Sequence, residues 1–236
     1  MRVPGLELPD LPDAAQLTVP CGDVTLGGYL WRQPDPAPAV LLLHGWGQDA
    51  SDMATPARLL HSAGWHALSL SLRGWRGSGG CDDYGRSGPG DLGRVLAWLE
   101  AQSWVTSTAV LGLSLGGLVA LLAAAQGHRV GQTVAINAPT DLRGIYDTTS
   151  SATLRRYYDA VLTLEQWVDG SPLTHAGRIG GPTWVVVGGE DRLCPPVLGR
   201  EFARVSGAEL LEVTGMGHVP DGAQWARVVG ETLGQS

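Results

Sequence analysis

Among 236 residues there are 34 Gly and 15 Pro, too few together for low-complexity disorder but enough for a globular chain rich in tight turns. Sixteen basic residues, all of them Arg, stand against 23 acidic ones, a net charge of −7, so the clustered positive charge that nucleic acid requires is missing. With no Lys, lysine Schiff-base chemistry and Walker-type phosphate binding are excluded too, and a single domain over residues 1–236 is expected.

In chain order, Met1 to Gln16 carries Pro and Asp where a signal peptide needs an apolar core, so a cytoplasmic protein is expected. Cys21, Cys81 and Cys194 are odd in number and far apart, consistent with a reducing compartment and no zinc spacing. Val24–Trp31 alternates like a strand, with Gly27-Gly28 suggesting a bend or bulge. Val40–Leu43 is a short apolar strand ending in His44-Gly45-Trp46-Gly47. Met53–Ala63 has helical spacing, Trp65–Leu72 returns to strand, and Asp91–Ala101 puts Leu92, Val95, Leu96 and Leu99 on one helical face. Ala109 to Ala125 is seventeen residues without charge, near the length of a membrane helix. Its glycines instead suggest a strand at Val110–Leu113, a sharp turn, and a buried helix at Leu115–Ala125; no membrane partner is expected. Thr133–Ile136, Trp184–Val187 and Leu210–Val213 are further strands.

This alternation predicts an α/β fold with a mostly parallel sheet and helices on both faces, whose ligands lie at the carboxyl ends of strands. One insertion, about 140–180, is too long for an ordinary connection. Leu154, Tyr157, Tyr158, Val161, Leu164 and Val168 follow helical spacing there, with Trp167 alongside. They read as an extra helix packed on the body and as a small cap whose Tyr157, Tyr158, Trp167 and His175 contact substrate.

Gly112-Leu113-Ser114-Leu115-Gly116 lies between a predicted strand and a predicted helix, where a nucleophilic Ser needs small neighbours because the chain reverses sharply. The pentapeptide alone is a weak signal; its context raises it. A serine hydroxyl needs an imidazole to take its proton and a carboxylate to fix the tautomer. Asp191 and His218 follow two later strands, in the order Ser, Asp, His that this architecture delivers. Asp141 is the runner-up acid, and Glu190, although adjacent to Asp191, is expected to point elsewhere. His61, His66 and His128 lie away from strand ends, and His44 is expected to brace its loop. Leu115 and Trp46 N–H groups are the expected oxyanion donors. Arg73 is read as a structural ion-pair partner.

These residues resemble the α/β-hydrolase superfamily from Val24 to the C-terminus: His44-Gly45-Trp46 for the oxyanion loop, Arg73-Gly74 with Gly77-Ser78-Gly79-Gly80, Gly112 to Gly116 for the elbow, and the Asp191 and His218 loops. Asp91 to Val105 before the elbow and Ser171-Pro172-Leu173-Thr174-His175-Ala176 are similar to dienelactone-hydrolase-like esterases and the catalytic domains of prolyl-oligopeptidase-type enzymes. Those peptidases carry a β-propeller ahead of the catalytic domain, whereas the first strand here is read at Val24. The resemblance therefore implies a serine esterase acting on a small-molecule ester, with a peptidase or amidase, or a non-catalytic protein of the same fold, as alternatives. It implies neither metal nor organic cofactor, and the sequence leaves the oligomeric state unknown.

Overall fold

The computed structural model describes residues 7–234, so residues 1–6 of the N-terminal stretch considered above lie outside the described residues. Strands β1 (Ala15–Cys21), β2 (Val24–Trp31), β3 (Ala37–Leu43), β4 (His66–Leu70), β5 (Val105–Leu113), β6 (Gln132–Ile136), β7 (Thr183–Gly188) and β8 (Glu209–Val213) form one sheet in the order β1-β2-β4-β3-β5-β6-β7-β8. From β4 onward all pairs are parallel, while β2 is antiparallel to both β1 and β4. The α-helices are α1 (Ala54–Ser62), α2 (Gly88–Glu100), α3 (Leu115–Ala125), α4 (Leu142–Thr148), α5 (Ala152–Val161), α6 (Gln166–Asp169), α7 (Pro196–Ser206) and α8 (Gly222–Thr232).

The core has a layer on each side of the sheet. Leu41, Leu43, Leu68 and Leu70 face Leu92, Val95, Leu96 and Leu99 of α2 and Leu118 and Leu122 of α3. Val40, Leu42, Leu111 and Leu113 face Leu60 of α1 and Trp225, Val228 and Val229 of α8. Burial on both sides is why β3 and the end of β5 read as unbroken apolar runs. The uncharged stretch 109–125 divides into the end of β5, a one-residue turn and α3. Among the described residues no helix is long and apolar enough to cross a membrane.

Three expectations change. β1 was not anticipated; it forms a hairpin edge on β2 through Gly22-Asp23, and its Pro20 is tolerated because an edge strand has donors to spare. Gly27-Gly28 makes no bulge, since pairing with β1 is continuous. Instead a Cβ at Gly28 would lie 1.9 Å from Ser69 O, so glycine is required for the close approach of β4. The helix expected through Leu154–Val168 is broken at Leu162, whose extended ψ of 131° ends α5. Leu164, 85% exposed, falls between α5 and α6, and Val168 is exposed as well.

Candidate active site

Ser114 stands between β5 and α3 with φ 52° and ψ −115°, a backbone strain that only a well-braced turn sustains. The bracing is mutual. Ser114 N–H donates to Ile136 O at 2.8 Å and Gly116 N–H to His44 O at 3.1 Å, tying the turn to the ends of β6 and β3. A Cβ on Gly112 would lie 2.3 Å from Gly116 carbonyl atoms, and one on Gly116 would lie 2.3 Å from Leu43 O, so both flanking glycines answer a steric demand.

The structure brings Ser114, His218 and Asp191 into one chain of hydrogen bonds. The Ser114 hydroxyl lies 2.9 Å from His218 Nε2, and His218 Nδ1 donates to Asp191 Oδ2 at 2.8 Å. A carboxylate only accepts, so the proton sits on Nδ1 and Nε2 is left to accept. Asp191 has a side chain with no exposed surface, and its Oδ1 accepts from Leu193 N (2.8 Å) and Cys194 N (3.0 Å). His218 keeps 19% of its side chain exposed, open to a ligand. The Trp46 and Leu115 N–H groups donate to no protein acceptor among the described residues; Leu115 is the first residue of α3 and has no intrahelical partner.

The competing residues have other employment. Asp141 caps α4, accepting from Arg143 N and Gly144 N at 3.1 Å each, and Glu190 is exposed. His44 is wholly buried, with Nε2 accepting from Leu72 N (2.9 Å) and Nδ1 donating to Gly45 O (2.8 Å); burial holds its pKa below the usual value. His66 bridges Gln33 N and Trp104 O, and its pKa is likewise lowered by burial. Arg73 pairs with Asp91 at 2.8 Å and Asp23 at 2.9 Å, which raises its pKa further.

The expected substrate-contact residues part company. Tyr157 and Trp46 pack with centroids 4.6 Å apart and ring planes tilted by 45°, and the Tyr157 hydroxyl donates to Asp82. Tyr158 is fully buried on the inner face of α5, its hydroxyl bonded to that of Tyr84 and its ring against Trp167. Helical spacing marks a face as apolar but not whether that face meets solvent or protein. Trp167 lies edge-on to Tyr146 and Tyr158, with the Arg143 guanidinium 5.2 Å over its ring. His175 sits in the 3-10 turn Pro172–Arg178, where Nε2 donates to Asp169 O at 3.0 Å, a brace between turn and α6.

Sequence reasoning missed Asn137. Buried and at φ 47°, it follows β6 and uses its whole amide: Oδ1 accepts from Gly188 N (2.7 Å), and Nδ2 donates to Gly217 O and His218 O (2.9 Å each). It thus joins the ends of β6 and β7 to the His218 loop. Asn tolerates left-handed backbone better than most residues, so an Asn closing a strand was the available signal. Gln48 was missed likewise; its Oε1 accepts from Gly45 N at 2.8 Å and shapes the turn that presents Trp46.

Comparison with known proteins follows the same lines. No curated protein sequence matches the chain. Among solved structures, Pyrococcus furiosus esterase Pf2001 superposes with a TM-score of 0.77 at 20% identity, over 98% of this chain and 99% of that one. Est1E from Butyrivibrio proteoclasticus, with ferulic acid bound, gives 0.76 at 17%, over 93% and 100%. A puromycin-hydrolysing peptidase of Mycobacterium tuberculosis gives 0.77 at 19%, over 94% of this chain but 39% of its own. At these identities the likeness is one of fold, the α/β-hydrolase fold. The sequence model for X-Pro dipeptidyl-peptidase (S15 family) matches residues 26–164, from β2 through the Trp46 turn and the Ser114 elbow to the insertion. With more than half its length matched, this chain belongs to the X-Pro dipeptidyl-peptidase (S15) family of hydrolases.

Proposed function

We propose that this hydrolase cleaves small carboxylic esters through an acyl-enzyme on Ser114. The observation that carries the reading is the pair of contacts at 2.9 and 2.8 Å that link Ser114 to His218 and His218 to Asp191. His218 Nε2 takes the hydroxyl proton as Ser114 Oγ attacks the carbonyl carbon. Asp191 holds the tautomer and offsets the imidazolium charge. The Trp46 and Leu115 N–H groups receive the oxyanion, each worth about 2.7–4 kcal/mol by analogy with a measured donor. His218 then gives the proton to the leaving alkoxide, and water resolves the acyl-serine by the same route.

The ester preference is supported by the wall beside the site. The hydroxyls of Tyr84 and Tyr158 are buried and bonded to one another and that of Tyr157 is held by Asp82, so the Trp46–Tyr157 wall offers mainly rings. Such a wall suits an apolar acyl or alkyl group better than a peptide backbone. One structural neighbour is named as an esterase, and another is described with ferulic acid bound, which agrees. The family match favours a second reading, aminopeptidase or amidase action.

Fluorophosphonate labelling of wild type against Ser114→Ala tests the nucleophile; failure of folded wild type to label overturns the mechanism. Comparing short p-nitrophenyl esters with aminoacyl-p-nitroanilides tests the substrate class. Faster anilide turnover establishes the second reading in place of the first.

A further inference from the structure

Cys194 is a side chain that the proposed hydrolysis does not use, yet it stands at the site. Asp191, Cys194 and His218 each offer one ligand atom, and the three atoms lie within 4.8 Å of one another. Carboxylate, thiolate and imidazole are the side-chain ligands that zinc takes at about 2.0–2.3 Å, which places ligand atoms roughly 3.5 Å apart around the ion. His218 Nδ1 and Asp191 Oδ2 are 2.8 Å apart, so that pair opens slightly and the sulfur, at most 4.8 Å away, moves inward to reach this spacing.

From this geometry we infer that Asp191, Cys194 and His218 form a binding site for a soft divalent cation of the zinc class, and that its occupation shuts off hydrolysis. The ligand frame is pre-set. Leu193 N and Cys194 N both donate to Asp191 Oδ1, fixing the three-residue step from carboxylate to thiol and leaving Oδ2 to face the imidazole. Asn137 fixes the other side through the His218 carbonyl. The way in is past the partly exposed His218 ring, since the Asp191 carboxylate and the Cys194 thiol are both buried.

Binding changes the site in a definite way. The Cys194 thiol releases its proton to solvent as the sulfur becomes a thiolate ligand. The cation takes the Nδ1 lone pair, so the imidazole proton moves to Nε2. An Nε2–H can donate to Ser114 but cannot accept its proton, and the base is lost. Two anionic ligands balance the doubly charged ion. The binding stands on the ligand geometry alone; its inhibitory consequence rests on the proposed roles of Ser114 and His218.

Cobalt(II) and zinc(II) are the probes. Wild type and Ser114→Ala are expected to develop a cobalt–thiolate charge-transfer band at one equivalent, and Cys194→Ser to lack it. With each variant's p-nitrophenyl acetate rate scaled to its own metal-free value, Cys194→Ser should need at least about tenfold more zinc for half-inhibition than wild type. Cys194→Ala serves in the same comparison if Cys194→Ser does not fold. No thiolate band in wild type, or equal zinc sensitivity of wild type and variant, overturns the inference. If Ser114→Ala keeps full turnover while the band persists, the hydrolytic mechanism fails and the cation site stands.

Discussion

Around Ser114 the chain is held by backbone and amide hydrogen bonds, whereas the neighbouring insertion adds to a few side-chain hydrogen bonds, such as Tyr157 to Asp82, a cluster of ring against ring. The elbow is tied to Ile136 and His44, Glu190 N donates to Met216 O at 2.9 Å, and Asn137 spans two loops. The insertion rests on Tyr84, Tyr157, Tyr158 and Trp167, and leaves Leu164 and Val168 in solvent. Directional bonds fix atoms to fractions of an ångström, which proton transfer demands. Aromatic packing tolerates re-shaping, which would suit the proposed substrate-facing wall of Trp46 and Tyr157.

The two regions should therefore fail in different ways. The largest effect is expected at the acid: Asp191→Asn should lower p-nitrophenyl acetate turnover by about four orders of magnitude, from loss of the tautomer. Asp141→Asn should keep most activity and cost only some helix-cap stability, about 1 kcal/mol or less. Kinetics of both variants check this, and the reverse outcome transfers the role to Asp141. Next is the Asn137 amide. Asn137→Gly accepts the positive φ while deleting all three side-chain bonds, and should cost about 10–100-fold in kcat at nearly unchanged KM. A pure stability loss with native kcat would break the distinction between the regions.

Acid should loosen the sheet at both ends, at His44 beside the Ser114 turn and at His66 at the start of β4. His44 and His66 are buried with pKa values below the unfolded value of about 6.5, so the unfolded chain binds more protons as pH falls. Their contribution is complete above that value. It declines below it by up to about 1.4 kcal/mol per pH unit for each histidine, until the folded-state pKa is passed. Thermal melts from pH 7.5 to 5 should show the decline, and His44→Gln should make it shallower.

In the insertion, Tyr158→Phe leaves the buried Tyr84 hydroxyl without its partner and should cost about 1–3 kcal/mol, read by urea unfolding. The smallest effect on chemistry is expected for Tyr157→Ala. It should widen the tolerated acyl chain, seen as altered KM across p-nitrophenyl ester lengths, with acetate kcat within severalfold of wild type.

Much of the strand and helix order was legible because each central strand is buried on both faces and each helix on one, so periodicity survives in the residues. The Gly112-to-Gly116 turn was legible for a steric reason that any sequence folding there must meet. Asn137, Cys194 and Tyr158 were not, because what matters about them is which distant residues they meet. Asn137 is bonded to residues 51, 80 and 81 positions away, and Tyr158 to one 74 positions back. The hairpin edge β1 was missed because a half-exposed strand carrying Pro20 is weakly patterned. The sequence alone determined the parallel α/β frame and which residues occupy its strand ends, since burial and turn sterics are written locally. Only the tertiary structure decided which hydroxyls are spent, which amide knots the loops, and that a thiol stands beside the Asp191–His218 pair. Those are distances between residues far apart in the chain, set when the strands align.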